Sequence, residues 1–316
     1  MLHQHGDVIQ RRSSESVLNR DKPPGCSFPR PMGLLGPKAM ITGGAGSCGF
    51  YLCHALIKEG IHVVLLDIRK PTWEIPEGAV IFQADVQDYE KVLKASEGID
   101  TIFHLASFGI RGVEQKEKIE STNVRGTEVI IDVCKSRNIS KLIYTSTVNI
   151  VFGGIPIEDG DESLPYFPLE KHPDSYSRTK SVAEQMVLAA NGHSLKGGGT
   201  LRTCALRFPG IYGPGQQKRL LHVLYEKLGY PKLRLFVPGF FLKITVTLME
   251  YLHWLLKPIF DFTPFLTKLE VKHLLATHTF RIDKARNQLG YHPKKYSLTE
   301  MVDYLPKGLE EGYSCP

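Results

Sequence analysis

A parallel, doubly wound α/β sheet is the fold that this 316-residue sequence predicts, on three observations. Short apolar runs alternate with helix-period segments from Lys38 to Arg207. A glycine-rich turn separates the first run from the first helix. Polar or glycine residues stand at the ends of successive runs. Strands alternating with helices imply parallel pairing with helices on both faces, and ligands then gather at the C-terminal strand ends.

The elements follow in order. Lys38–Thr42 reads as a strand, Gly43 to Gly49 as a turn, and 50–59 as a helix stopped by Gly60. The apolar run 63–67 is typical of a strand covered on both faces, and it ends in Asp67. Strand, glycine turn, helix, strand and terminal acid together make a dinucleotide-binding βαβ unit. Gly43, Gly46 and Gly49 let the backbone pass close to a pyrophosphate resting on the helix N-terminus, where unpaired N–H groups and the helix dipole favour anions. Asp67, 21 residues beyond Gly46 (67 − 46), is placed to accept hydrogen bonds from ribose hydroxyls, which favours NAD. Arg69 could instead meet a 2′-phosphate and keeps NADP open. Residues 80–83, 101–105, 142–145 and 201–206 read as further strands, and 89–96, 117–137 and 175–190 as helices. Asp67, the pair Asp85 and Val86, Ala106 and Thr147 then fall at strand ends, on the same edge as Gly46.

Tyr176 and Lys180 lie one turn apart on the helix 175–190. A free tyrosine ionises near pH 10, about three units too high for a base at neutrality. Bringing it to 7 takes about 4 kcal/mol of differential stabilisation, within reach of a fixed cation plus a dipole or a bound cationic ring. Such a spacing alone would be a surface contact. Downstream of a dinucleotide unit it becomes a proton-transfer pair beside a nicotinamide, with Tyr176 as general acid/base and Lys180 lowering its pKa.

The segments Gly43 to Gly49, His104-Leu-Ala-Ser107, Asn123-Val-Arg-Gly-Thr127, Tyr144-Thr-Ser-Thr147, Tyr176/Lys180 and Arg207-Phe-Pro-Gly-Ile-Tyr-Gly-Pro-Gly215 occur in an order that resembles the extended short-chain dehydrogenases/reductases. Within them the chain resembles the 3β-hydroxysteroid dehydrogenase/isomerase group, closest to family 42E. The resemblance implies a Rossmann-type sheet and NAD(P)-dependent oxidoreduction of a steroid- or lipid-like alcohol or ketone, a step of the kind used in steroid biosynthesis. It implies that Lys180 bonds the nicotinamide ribose, that Thr147 holds the substrate oxygen with Ser146 left open, that Asp85 and Val86 flank adenine, and that Asn123 props the active-site helix. A homodimer is compatible with the class. A nucleotide-sugar epimerase or dehydratase would share the sheet and the Tyr–Lys pair, but those dehydratases carry an acid after the catalytic threonine, and here Val148 and Asn149 follow.

Beyond Gly215 the chain departs from that pattern. Residues 218–229 lead almost directly to 232–238, where extended members carry more sheet and much of the substrate pocket. The expected organisation is an N-terminal extension (1–37), a dinucleotide-binding domain (38–215) and a shortened C-terminal substrate region (216–316). On this reading the chain could bind NAD and turn over poorly. Residues 240–260 are strongly apolar, with Lys243, Glu250 and Lys257 seven apart on one drifting stripe. Three charges argue against a spanning helix. A helix capping a lipid-like substrate, lying in a membrane surface, or packed on the core fits equally.

Composition excludes several classes. Hydrophobic content of 42% and charged content of 23% are those of a globular protein. The net charge of +6 comes from scattered basic residues, so no nucleic-acid footprint is expected. The six cysteines form no metal-ligand spacing; reduced thiols, no metal site and an intracellular, cytoplasmic location with optional membrane association are expected. Residues 1–37 are polar and proline-rich, without the apolar core of a signal peptide, and read as a disordered extension.

Overall fold

The structure is a computed structural model and describes residues 36–109, 115–210, 238–256, 271, 276 and 278–293. The chain divides into two units, Met1–Leu35 and Gly36–Pro316. The expectations for residues 1–35 and for the junction after Gly215 lie outside the described residues.

In the second unit the elements are β1 (Lys38–Thr42), α1 (Ser47–Lys58), β2 (His62–Asp67), β3 (Ala79–Gln83), α2 (Tyr89–Ala95), β4 (Thr101–His104), α3 (Lys116–Glu120), α4 (Gly126–Arg137), β5 (Lys141–Thr147), β6 (Ile157–Gly160), α5 (Ser175–Ala189), β7 (Arg202–Phe208), α6 (Gly239–Leu256), β8 (His278–Phe280) and α7 (Asp283–Leu289). Six strands form one sheet in the order β3-β2-β1-β4-β5-β7, with every pairing parallel. The chain runs outward from β1 through β2 to β3, then returns to the other side of β1 for β4. That reversal opens a crevice at the C-terminal ends of β1 and β4.

Side-chain alternation along the strands explains why both faces are covered. Met40 and Leu66 enter the cluster with Ile102, Leu142, Tyr144, Ile130, Val133, Ala183 and Val187, under α2, α4 and α5. Their neighbours Ile41 and Leu65 enter a second cluster with Cys53, Leu52 and Leu56 of α1. β1 and β2 are therefore buried on both sides, as their unbroken apolar sequences required.

Two elements differ from expectation, and a third is one that the sequence left open. The helix expected at 117–137 is split by a π-helical turn, Ser121–Arg125, between α3 and α4. One residue of extra winding rotates Asn123 into the interior, where it is 1% exposed. β6 and its parallel partner β8 form a small separate sheet, reinforced by Arg281 against Asp161 and by Asp159 N–H donating to Thr279 Oγ1 at 2.7 Å. Residues 157–160 carry too little apolar character to announce a strand. Last, α6 buries only one narrow face: Val246 is buried and Leu242, Met249, His253 and Leu256 are half-buried beside it, while Phe240, Phe241, Ile244, Leu248, Tyr251, Leu252, Trp254 and Leu255 are exposed. No helix among the described residues is long and apolar enough to cross a membrane.

Candidate active site

The glycine turn links β1 to α1. Gly43 and Gly44 N–H both donate to Leu66 O, at 2.8 and 3.2 Å, which ties the turn to β2. Gly43 has φ +70°, and a Cβ there would stand 2.8 Å from Ala106 N. A Cβ on Gly49 would stand 2.4 Å from Gly44 O, so close packing of α1 on the turn requires that glycine. Gly46 is different. Its backbone is ordinary (φ −82°, ψ 167°), and a Cβ would meet nothing closer than Gly43 O at 3.4 Å. Nothing in the folded chain demands glycine at 46.

Gly46 is the N-cap of the 12-residue α1, has no side chain to cap it, and is followed by a first turn without acidic residues. The unpaired N–H groups and the dipole there favour an anion such as a pyrophosphate. Asp67, 8% exposed, closes one side: its Oδ2 accepts from Ala45 N–H (3.1 Å) and its Oδ1 from Arg69 N–H (3.0 Å). The Arg69 side chain itself is exposed, with Nε 3.9 Å from Asp67. Ala84 N–H donates to Asp67 O at 2.9 Å, so the end of β3 joins the same edge. There Asp85 is exposed and Val86 buried, and Val86 packs on Gly126, whose Cβ would fall 2.6 Å from Val86 Cγ1. Gly43, Gly46, Gly49, Asp67, Asp85 and Val86 thus share one edge. These residues fit an adenine dinucleotide.

On the other side of the crevice, Asp174 caps α5, accepting from Ser177 N–H at 2.7 Å and Ser177 Oγ–H at 2.7 Å. Tyr176 therefore sits in the first turn with its backbone fixed. Ser107, in the loop after β4, is the polar side chain that acts on its hydroxyl. Ser107 had no assigned role; its place at a strand end was the signal available. Burial raises the Tyr176 pKa above its ordinary value, and Ser107 only partly offsets this. The sequence led us to expect Lys180 to lower that pKa. As placed, the Lys180 ammonium instead donates to Thr145 O and lies 4.1 Å from the Tyr144 ring centre. Lys180 is 2% exposed, and burial draws its own pKa down to about 7.

The two candidate hydroxyls are on opposite faces of β5. Thr147 Oγ1 accepts from Asn149 N–H at 3.3 Å, capping a short 3-10 turn, and keeps its O–H free to donate elsewhere. Ser146 shares the Tyr144 face and is buried with no partner for Oγ.

A directional hydrogen-bond chain connects the two halves. Ala106 N–H donates to Thr42 Oγ1 (3.1 Å), and Thr42 bonds His104 Nδ1 (2.7 Å). His104 Nε2 bonds Thr127 Oγ1 (3.0 Å), and Thr127 donates to Asn123 O (2.6 Å). Because a carbonyl only accepts, the proton sits on Nε2 and Thr42 donates to Nδ1. His104 is completely buried, and burial with the nearby Lys180 charge lowers its pKa to about 3, so it is neutral. Asn123 continues the chain, accepting from Phe108 N–H (2.7 Å) and donating to Phe108 O (3.1 Å) and Thr179 Oγ1 (3.0 Å). Asn123 thus props α5, as the family resemblance implied. Among the described residues no His/Cys/Asp/Glu cluster could hold a metal, and Cys48, Cys53, Cys134 and Cys204 are free thiols.

Residues 40–239 match the model of the 3-beta hydroxysteroid dehydrogenase/isomerase family. The chain belongs to that family. Short-chain dehydrogenase/reductase family 42E member 1 of Danio rerio is 39% identical over 339 residues, covering 84% of this chain and 87% of the relative. 3 beta-hydroxysteroid dehydrogenase type 7 of Mus musculus is 28% identical over 336 residues, covering 80% and 90%. Among solved structures, UDP-glucuronic acid 4-epimerase from Bacillus cereus in complex with NAD superposes with a TM-score of 0.61 at 20% identity, over 88% of this chain and all of that one. At that identity the likeness shows the fold. As a 3-beta hydroxysteroid dehydrogenase/isomerase family member, the chain is an NAD(P)-dependent oxidoreductase of the short-chain dehydrogenase/reductase class.

Proposed function

We propose that the chain oxidises or reduces the CH–OH/C=O group of a steroid- or lipid-like small molecule. The observation that carries this reading is the meeting, on one strand edge, of a cofactor cradle that leaves room at Gly46 and a fixed Tyr176/Lys180 pair. NAD(P), when bound, supplies or accepts the hydride. In reduction the Tyr176 phenol gives its proton to the substrate oxygen; in oxidation its phenolate takes that proton. Thr147 donates a hydrogen bond that holds the same oxygen. Lys180 holds the nicotinamide ribose. Asp67 receives the adenosine ribose hydroxyls, which favours NAD, while Asp85 and Val86 flank adenine.

The preference for a lipid-like substrate draws on the family and on α6. Eight large apolar side chains are exposed along that helix, and Lys243 is exposed among them. A patch of that kind suits a membrane surface from which an apolar substrate could be taken. Co-flotation with anionic vesicles, lost in a Phe241→Glu/Leu248→Glu variant, is the expected result. Free protein in the presence of vesicles would remove the surface.

One observation favours a second reading, a catalytically impaired NAD-binding chain. The 339-residue alignment with the Danio rerio relative is longer than this 316-residue chain, yet uses only 84% of it. The relative therefore has an internal stretch without a counterpart here. The deciding experiment follows NADH absorbance across a hydroxysteroid and ketosteroid panel, beside NADH binding. Turnover abolished by Tyr176→Phe supports the enzyme. Binding without turnover supports the impaired chain, and sugar-nucleotide interconversion without net reduction would support an epimerase instead.

A further inference from the structure

Tyr176, Lys180 and Glu184 follow one another at four-residue intervals on α5 and stand in a row along one face. Glu184 is 1% exposed. Its Oε1 accepts from Tyr166 O–H (2.9 Å) and from Arg207 Nε (3.0 Å) and Nη2 (2.8 Å). Its Oε2 is buried and makes no hydrogen bond. The Arg207 fork closes on a single oxygen, so half of a carboxylate is left uncompensated in the core, one turn from Lys180. A pair serving only to join α5 to β7 would gain from engaging both oxygens.

Lys180 has need of an anion. Its ammonium is enclosed, donates to one backbone carbonyl, and makes no ion pair among the described residues. The groups that face it are His104 from β4, Tyr144 from β5, and Tyr176 and Glu184 from α5. His104 is neutral, and burial raises the pKa of both Tyr144 and Tyr176, so neither is an anion near pH 7. From α3, Glu120 is taken by Arg178, and Glu128 and Asp132 of α4 are exposed. Glu184 is the carboxylate left to face the ammonium.

We propose that Glu184 is a positioning residue of the proton-transfer site: clamped by Arg207 and Tyr166, its buried charge keeps Lys180 an ammonium in a site closed to water. This rests on the reading of Tyr176 and Lys180 given above. Burial alone draws Lys180 down, and Glu184 opposes that fall. Oxidised nicotinamide would add a further positive charge beside Lys180, and the demand on Glu184 is then greatest.

The test is NADH binding by fluorescence between pH 6 and 9. Wild-type affinity is expected to fall as pH rises through the Lys180 pKa, and Lys180→Met to lose that limb. Glu184→Gln should move the midpoint down by about one pH unit, and Glu184→Asp should restore it. Removing one member of a buried pair endangers folding, so Glu184→Gln/Arg207→Gln, which leaves no lone charge, is measured alongside and should show the same downward shift. A wild-type midpoint in the glutamine variants, with only the melting temperature altered, overturns the proposal. Wild-type protein that binds no NADH at any pH overturns the cofactor-site reading itself, a different failure.

Discussion

The turn glycines separate into those the fold requires and one, Gly46, that it does not and that the proposed function assigns to the cofactor, and single alanine substitutions distinguish them. At Gly49 an added Cβ lies 2.4 Å from Gly44 O, backbone against backbone, so α1 must move off the turn. Overpacking of this kind costs about 1–3 kcal/mol. At Gly46 the φ and ψ suit any residue and the nearest atom is at 3.4 Å. Gly→Ala at a compatible site stabilises by about 0.4–1 kcal/mol, because the unfolded chain loses freedom. Gly46→Ala should therefore leave urea unfolding of the free protein unchanged or slightly stabilised. The same methyl occupies the approach to the α1 amides, and NADH affinity should fall tenfold or more, about 1.4 kcal/mol. Urea titration with NADH fluorescence on both variants measures the two effects independently. Gly46→Ala protein that binds NADH like wild type, or that unfolds as easily as Gly49→Ala, would refute the assignment of Gly46 to the cofactor.

Three further outcomes are expected. His104 has a folded pKa of about 3 against 6.5 in the unfolded chain, so below pH 6.5 the unfolded state binds a proton that the folded state refuses. Stability is intact above 6.5, falls by about 2 kcal/mol on going down to pH 5, and flattens only near 3. His172, also lowered by burial, adds in the same direction, so the His104 share is read as the loss of slope in His104→Gln, by urea unfolding at several pH values. Thr147→Ala should lower kcat by 10²-fold or more, on the order of one lost hydrogen bond to the reacting oxygen. Ser146→Ala should lower it less and leave stability within about 1 kcal/mol, since its Oγ gives up no bond; the reverse ranking would move the role to Ser146. Asp67→Asn deprives Ala45 N–H or Arg69 N–H of an acceptor and should raise the Kd for NADH while narrowing its margin over NADPH, checked by parallel fluorescence titrations.

How far the sequence reached can be seen residue by residue. The apolar runs found β1, β2, β4 and β5 within a few residues, because strands buried on both faces carry a strong local signal. β6 was missed because its pairing with β8 is made across more than 100 residues of chain and by backbone groups that any sequence offers. The break in the helix at 117–137 was invisible for a similar reason. Lys116 to Arg137 has helical periodicity throughout, and the π turn is fixed by the bonds that Asn123 makes to Phe108 and Thr179.

The sequence by itself determined the βαβ unit, the glycine turn with its acid, the order along the chain of the strands of the main sheet, and a tyrosine and lysine one turn apart. These are matters of local spacing. Tertiary structure alone decided the environment of those residues: that Gly46 is spare for the fold while Gly49 is not, that Tyr176 meets Ser107, and that Lys180 is enclosed over the Tyr144 ring with Glu184 behind it. Charge states, close approaches and the direction of a hydrogen-bond chain depend on what burial removes from water. Burial is a property of the packed chain, and no spacing along the sequence contains it.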